Sequence, residues 1–251
     1  MAAVGVCEED HLERLLRVAT CLAMCGYGAQ VGQLAGAARA FYSDAQVWAA
    51  QVHHRGSAYG RTHLMHAAHI GSAARLQYLL DRGAAVDAVD IGGVTALMLA
   101  SESAHLEIAR CLLERGAANV NAADCDGMTS LMYASQNGHL EIVRFLVERD
   151  GANVNAAQTD DGYTALMWAS QMGYLEIVRL LVHRAGLNIN AADSHGYTAL
   201  HLACSGGLEA VAGLLVSRGA DPSLLDNQGR SALFFAQTSA ARLQALLAPG
   251  L

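Results

Sequence analysis

Eleven histidines give the chain its most visible potential for chemistry. His63, His66 and His69 recur every third residue, and His53 and His54 lie just upstream. Residues three apart share one helix face, so this group could offer imidazoles to a metal ion. A zinc site wants four ligands at a recognisable spacing, and no nearby cysteine or carboxylate pair completes the set. Cys21 and Cys25 read as small apolar residues of a helix rather than ligands. No phosphate-cradling glycine loop, nucleophile elbow or catalytic carboxylate pair is found, and the Gly-Gly pairs at 92–93 and 206–207 fit turns. The column Met65, Met98, Met132 and Met167 resembles a ligand stripe, but at its spacing it reads as packing between successive units. The expectation is a protein with no catalytic residues, no metal and no cofactor.

The elements that would position any site follow from composition and period. Apolar residues make up 53% of the 251, enough for a substantial core and against disorder. The net charge of −7, with no Lys/Arg run, argues against nucleic acid and anionic membranes as partners. The uncharged stretch from Val18 to Ala38 carries Gln30, Gln33 and several glycines, too polar for a convincing membrane span. No basic leader with an apolar core opens the sequence. The cysteines (Cys7, Cys21, Cys25, Cys111, Cys125 and Cys204) are irregularly spaced, which predicts free thiols and a cytoplasmic or nuclear location.

From Gly60 onward one pattern restarts, at Gly60, Gly93, Gly127, Gly162, Gly196 and Gly229. The differences between successive numbers are 33, 34, 35, 34 and 33, the period of a stacked array of one supersecondary unit. Two residues after each glycine stands Thr62, Thr95, Thr129, Thr164, Thr198 or Ser231, placed to cap a helix. A short apolar helix follows. Gly71, Gly138, Gly173 and Gly207 then separate it from a second helix of amphipathic spacing, such as Leu140, Ile142, Val143, Phe145 and Leu146. Ala104 stands at that glycine position in the second unit, which predicts either a different turn or local strain. Gly83, Gly116, Gly151, Gly186 and Gly219 end the second helices, where a left-handed backbone is expected. An extended stretch and a polar turn close each unit.

In the residues GMTSLMYASQNGHLEIVRFLV (127–147), GYTALMWASQMGYLEIVRLLV (162–182) and GYTALHLACSGGLEAVAGLLV (196–216) the chain closely resembles the ankyrin-repeat family. The resemblance runs from Gly60 to about Leu247. It implies an all-α solenoid of five repeats (60–92, 93–126, 127–161, 162–195, 196–228) and a partial sixth, 229–251, that ends as a cap. The family's proline after the capping threonine is absent throughout. Its usual histidine survives only as His201, so the threonine–histidine hydrogen-bond pattern is expected to be mostly lost.

Residues 1–59 form a separate helical region, expected to cover the apolar end of the first repeat. Leu12, Leu15, Leu16 and Val18, with Leu34-Ala35, Arg39, Phe41, Asp44 and Val47-Trp48, also resemble a degenerate F-box lacking its opening Leu-Pro. That resemblance implies docking onto the adaptor of a cullin-type ubiquitin ligase, which would make the chain a substrate receptor.

The family resemblance also implies where a protein partner would bind: the hairpin tips and the exposed face of the first helices. Transferred residue by residue, the candidate partner-binding set is Met128, Tyr133, Gln136, Asn137, Asp160, Asp161, Tyr163, Trp168, Gln171, Met172, His195 and Tyr197. The third and fourth repeats concentrate its apolar and aromatic members, the residue types that dominate interface hot spots. The competing expectation is that Tyr133 and Trp168 simply pack between helices, since Leu99 and Leu202 fill the same place. The function this predicts is that of a monomeric interaction scaffold or adaptor.

Overall fold

In the computed structural model, residues 59–149 and 151–236 are described. The expected N-terminal helices, the F-box-like pattern, the uncharged stretch and the end of the sixth unit fall outside them. Five helix pairs and one further helix follow in order: α1 (His63–His69) and α2 (Ala73–Asp81), α3 (Ala96–Glu102) and α4 (Leu106–Glu114), α5 (Ser130–Gln136) and α6 (Leu140–Val147), α7 (Ala165–Met172) and α8 (Leu175–Val182), α9 (Ala199–Ser205) and α10 (Glu209–Ser217), then α11 (Ala232–Ala236). The helices stack in two layers, the first helices of each pair forming an inner row and the second helices an outer row. The described residues hold no helix long and apolar enough to cross a membrane.

The short inner helices start where the sequence places their caps. The hydroxyls of Thr62, Thr95, Thr129 and Thr164 accept the backbone N–H three residues on at 3.2–3.4 Å, each cap worth about 1 kcal/mol. The methionine column packs as expected, with Met65, Met98, Met132 and Met167 at most 1% exposed. Among the described units the threonine–histidine pattern is kept only at His201, and methionine stands in for the histidine in two others. Met65 and Met98 accept the N-cap N–H on their thioether sulfurs at 3.3 and 3.4 Å. His201 does the same with Nδ1 at 3.2 Å.

Small residues let the inner row close up. Ala67, Ala100, Ala134, Ala169, Ala203 and Ala236 are buried in one column. From the outer row, triplets such as Ile142, Val143 and Leu146 on α6 complete the core between the layers.

The turn between α3 and α4 shows which alternative Ala104 takes: its φ is 63°, the left-handed conformation that glycine adopts in the other units. Gly116 corrects the sequence reading. It does not take the left-handed position after α4; Ala117 does, at φ 52°. A Cβ at Gly116 would stand 2.7 Å from the carbonyl of Leu112, so glycine is needed there for closeness rather than for backbone sign.

Successive hairpins are bound to each other. At each tip a backbone N–H donates to the previous tip: Cys125 to Gly92, Thr159 to Asp126, Ser194 to Asp161 and Asn227 to His195, at 2.8–2.9 Å. An asparagine ladder runs alongside. The amide of Asn121 accepts from the N–H of Asn153 and donates to the carbonyl of Gly151, and Asn155 repeats both bonds with Asn188 and Gly186, all at 2.7–2.8 Å.

Candidate functional site

Four of the hairpins are organised by a buried or half-buried aspartate. One carboxylate oxygen of Asp90, Asp124, Asp193 and Asp226 accepts the backbone N–H groups two and four residues on, at 2.7–3.0 Å. The second oxygen distinguishes them. That of Asp90 faces Nε of Arg61 at 3.3 Å, and that of Asp226 takes Nε of Arg230 at 2.8 Å. That of Asp124 accepts the hydroxyl of Tyr133 at 2.7 Å. The second oxygen of Asp193 is buried and has no hydrogen-bond partner among the described residues.

The hairpin leading into the fourth repeat departs from this plan. It holds one more residue, and Gln158 stands where the aspartate stands elsewhere: its N–H pairs with the carbonyl of Tyr163, as that of Asp124 does with Met128. This tip borders a cleft of about 390 Å³ lined by Gln158, Asp161, Tyr163, Trp168, Gln171, Met172 and His195. The rings of Tyr163 and Trp168 lie 5.0 Å apart, tilted by 53°. Two polar atoms of its lining residues, Nε1 of Trp168 and Oε1 of Gln158, are buried without a hydrogen-bond partner among the described residues. Burial pushes the Tyr163 hydroxyl pKa up, and the charges of Asp193 and Asp161 push it the same way, so the phenol stays neutral.

Six of the candidate residues therefore come together: Asp161, Tyr163, Trp168, Gln171, Met172 and His195. Asp160 is exposed on the same tip. Tyr133, Gln136 and Asn137 belong to the preceding repeat, where Tyr133 is tied to Asp124 and the Asn137 side chain donates to the carbonyl of Tyr133. Burial, then the hydrogen bond to Asp124, pushes the Tyr133 pKa well up. Tyr197 packs against Phe235, 5.7 Å between centroids, and its hydroxyl accepts from Arg230. Met128 is not at a solvated edge: it is 6% exposed and part of the core. Gln158 was missed. Its signal is the break in register, a glutamine and an added residue where the other four described tips have aspartate.

Two other places with potential chemistry are partly engaged in internal contacts. His69 contacts the Ser103 hydroxyl through Nδ1 at 3.2 Å, and no metal-binding group of His, Cys, Asp or Glu forms among the described residues. A groove of about 580 Å³ on the outer row is filled with paired charges. There Phe145 lies between the guanidinium groups of Arg110 and Arg149, at 5.0 and 4.6 Å, and Arg149 pairs with Glu114. Cys111, Cys125 and Cys204 are free thiols; burial pushes that of Cys204 up to about 12.

A family model described as ankyrin repeats (3 copies) matches residues 29–124 and 117–193, and a single ankyrin repeat matches 195–227. The first match begins upstream of Gly60, within the segment that resembles an F-box. None of the curated proteins compared matches the chain. Among solved structures, the chain is similar to the ankyrin repeat domain of Bcl-3, described as a unique member of the IkappaB protein family. They share 32% identity and a TM-score of 0.67, over 74% of this chain and 82% of that one. It is also similar to EF0377, an ankyrin repeat protein, with 30% identity and a TM-score of 0.69, over 74% of this chain and 96% of that one. Period, caps, stacked hairpins and these matches agree, and the chain belongs to the ankyrin-repeat family.

Proposed function

We propose that this chain is a non-enzymatic scaffold or adaptor that holds a partner protein against its inner row, with the cleft at Tyr163, Trp168 and Met172 as the principal contact. The observation that carries the reading is the pair of unpartnered buried polar atoms, the Trp168 indole N–H and the Gln158 carbonyl, in the wall of an open aromatic cleft. Buried polar groups are nearly always hydrogen-bonded, so a partner group that satisfied these two would gain by it. Aromatic rings beside a polar rim are the composition of an interface centre. The scaffold itself is generic, so specificity would reside in these tip and helix residues.

The test is affinity capture from cell extract with the full chain and with a Trp168→Ala, Tyr163→Ala double variant, followed by direct binding of the recovered protein in purified form. A partner recovered by the first and lost by the second supports the reading. Equal recovery by both, with unchanged circular dichroism, overturns it.

A further inference from the structure

The second carboxylate oxygens of the hairpin aspartates supply an internal comparison. In two of the four tips an arginine satisfies that oxygen. At Asp226 the guanidinium of Arg230 also lies 4.7 Å from the ring centroid of Phe235 and 5.9 Å from that of Tyr197. Carboxylate and aromatic rings together thus make a seat for arginine in this fold. At Asp193 the residue that corresponds to Arg230 is Tyr197, and the one that corresponds to Arg61 is Tyr163. Asp193 is 7% exposed, and its second carboxylate oxygen is buried with no partner among the described residues.

Asp193 stands directly behind the cleft. Its backbone lies against Gly162, where a Cβ would be 3.4 Å from the Cα of Asp193, and His195 and Tyr163 flank it in the cleft wall. Its charge acts on the Tyr163 hydroxyl. Asp161 adds a second carboxylate at the rim, and Asp160 a third beside it. Arg230, on the next tip, is already engaged by Asp226 and Tyr197. The cleft therefore combines a tilted aromatic pair with carboxylates that no described side chain neutralises.

We propose that the residue this cleft takes from its partner is an arginine, laid on the Tyr163 and Trp168 rings and balanced by Asp161 and Asp193. This rests on the protein-binding reading above and names the chemistry of that contact. Arginine fits better than lysine because its flat guanidinium stacks on rings and presents several donors at once, whereas an ammonium is a compact, strongly hydrated point charge.

The experiment is selection of a random peptide library on the full chain, then titration of the enriched peptide, its citrulline and lysine versions, and the Trp168→Ala, Asp161→Asn and Asp193→Asn variants. Asp193→Asn keeps the oxygen that caps the tip, and the Asp161 side chain is exposed, so both variants preserve the fold. Arginine-containing peptides that weaken about ten-fold on citrulline or lysine replacement, and about three-fold or more in each asparagine variant, bear the proposal out. Enriched peptides without arginine that still depend on Trp168 overturn it while leaving the cleft as a protein-binding site. Peptides indifferent to Trp168→Ala, or no enrichment at all, overturn the proposal and the assignment of the cleft together.

Discussion

The backbone N–H of Thr95 donates to the thioether sulfur of Met98 at 3.4 Å, in the place where that of Thr198 donates to Nδ1 of His201 at 3.2 Å. Methionine is long enough to fill the same gap between repeats and to present a weak acceptor at the same point. The two residues differ in one property, since only the imidazole can take up a proton.

That difference is measurable. Burial pushes the His201 pKa down, against the pull of the Arg230 carbonyl and the charge of Asp226. The unfolded chain binds a proton near pH 6.5 that the folded ring resists, so stability present above that pH is lost as the pH falls below it. We expect His201→Met to flatten this part of the profile, read as melting temperature between pH 8 and pH 5. Parallel curves for the two proteins would show that His201 does not contribute.

Ala104→Gly should raise stability. A left-handed backbone costs an alanine roughly 1–2 kcal/mol, and glycine's greater unfolded-state entropy returns about 0.4–1 kcal/mol. The net gain should be about 0.5–1 kcal/mol by denaturant titration. Gly71→Ala should do the reverse, and by more. Its φ is 73°, and the added Cβ would stand 2.5 Å from the ring of His105. A loss of melting temperature in Ala104→Gly would contradict the strained turn.

Much of this was legible in the sequence because the period is local. Thr62, Thr95, Thr129 and Thr164 announce their helices by position, and Met65, Met98, Met132 and Met167 share one environment because each repeat buries the same face. Cross-repeat geometry was not legible. The left-handed role of Gly83, Gly151, Gly186 and Gly219 passes to Ala117 in the second unit, while Gly116 is there for closeness alone, and nothing in either residue says which takes positive φ. Met128 looked exposed because its column ends at a tip, yet its unbranched side chain is buried in the core where Val94, Tyr197 and Arg230 are only half-buried. Six of the cleft's lining residues could be named from the pattern, but their convergence with Gln158 depends on how an enlarged tip folds.

Asn155 joins two hairpins through both ends of one amide. Asn155→Ala should cost about 1 kcal/mol, as the loss of exposed hydrogen bonds usually does. The same substitution at Asn153, whose carbonyl oxygen caps only Asn155 within its own hairpin, should cost less. Equal losses by denaturant titration would argue that the ladder adds nothing between repeats.

Tyr133 and Trp168 hold corresponding places with different duties. Tyr133→Phe leaves the second oxygen of Asp124 unpartnered and should lower stability by about 1–2 kcal/mol. Trp168→Ala with Tyr163→Ala should instead weaken binding to a purified partner by more than about 2 kcal/mol. Calorimetry of both variants, alone and with the partner, separates the two effects. A Tyr133→Phe protein as stable as the parent would deny the bond its structural role.

The tip-to-tip backbone bonds, Cys125 to Gly92 and its successors, tie each hairpin only to the one before it. The asparagine ladder and the helix packing likewise join neighbours, and no element spans the array among the described residues, so a load applied at one end meets the interfaces one after another. Pulled along its axis, the array would yield in steps, each freeing one period of chain. For the 33–35 residues between restart glycines, a step amounts to roughly 110–125 Å of extended backbone. The stack would thus behave as a spring that surrenders coil by coil and recoils as neighbours re-form.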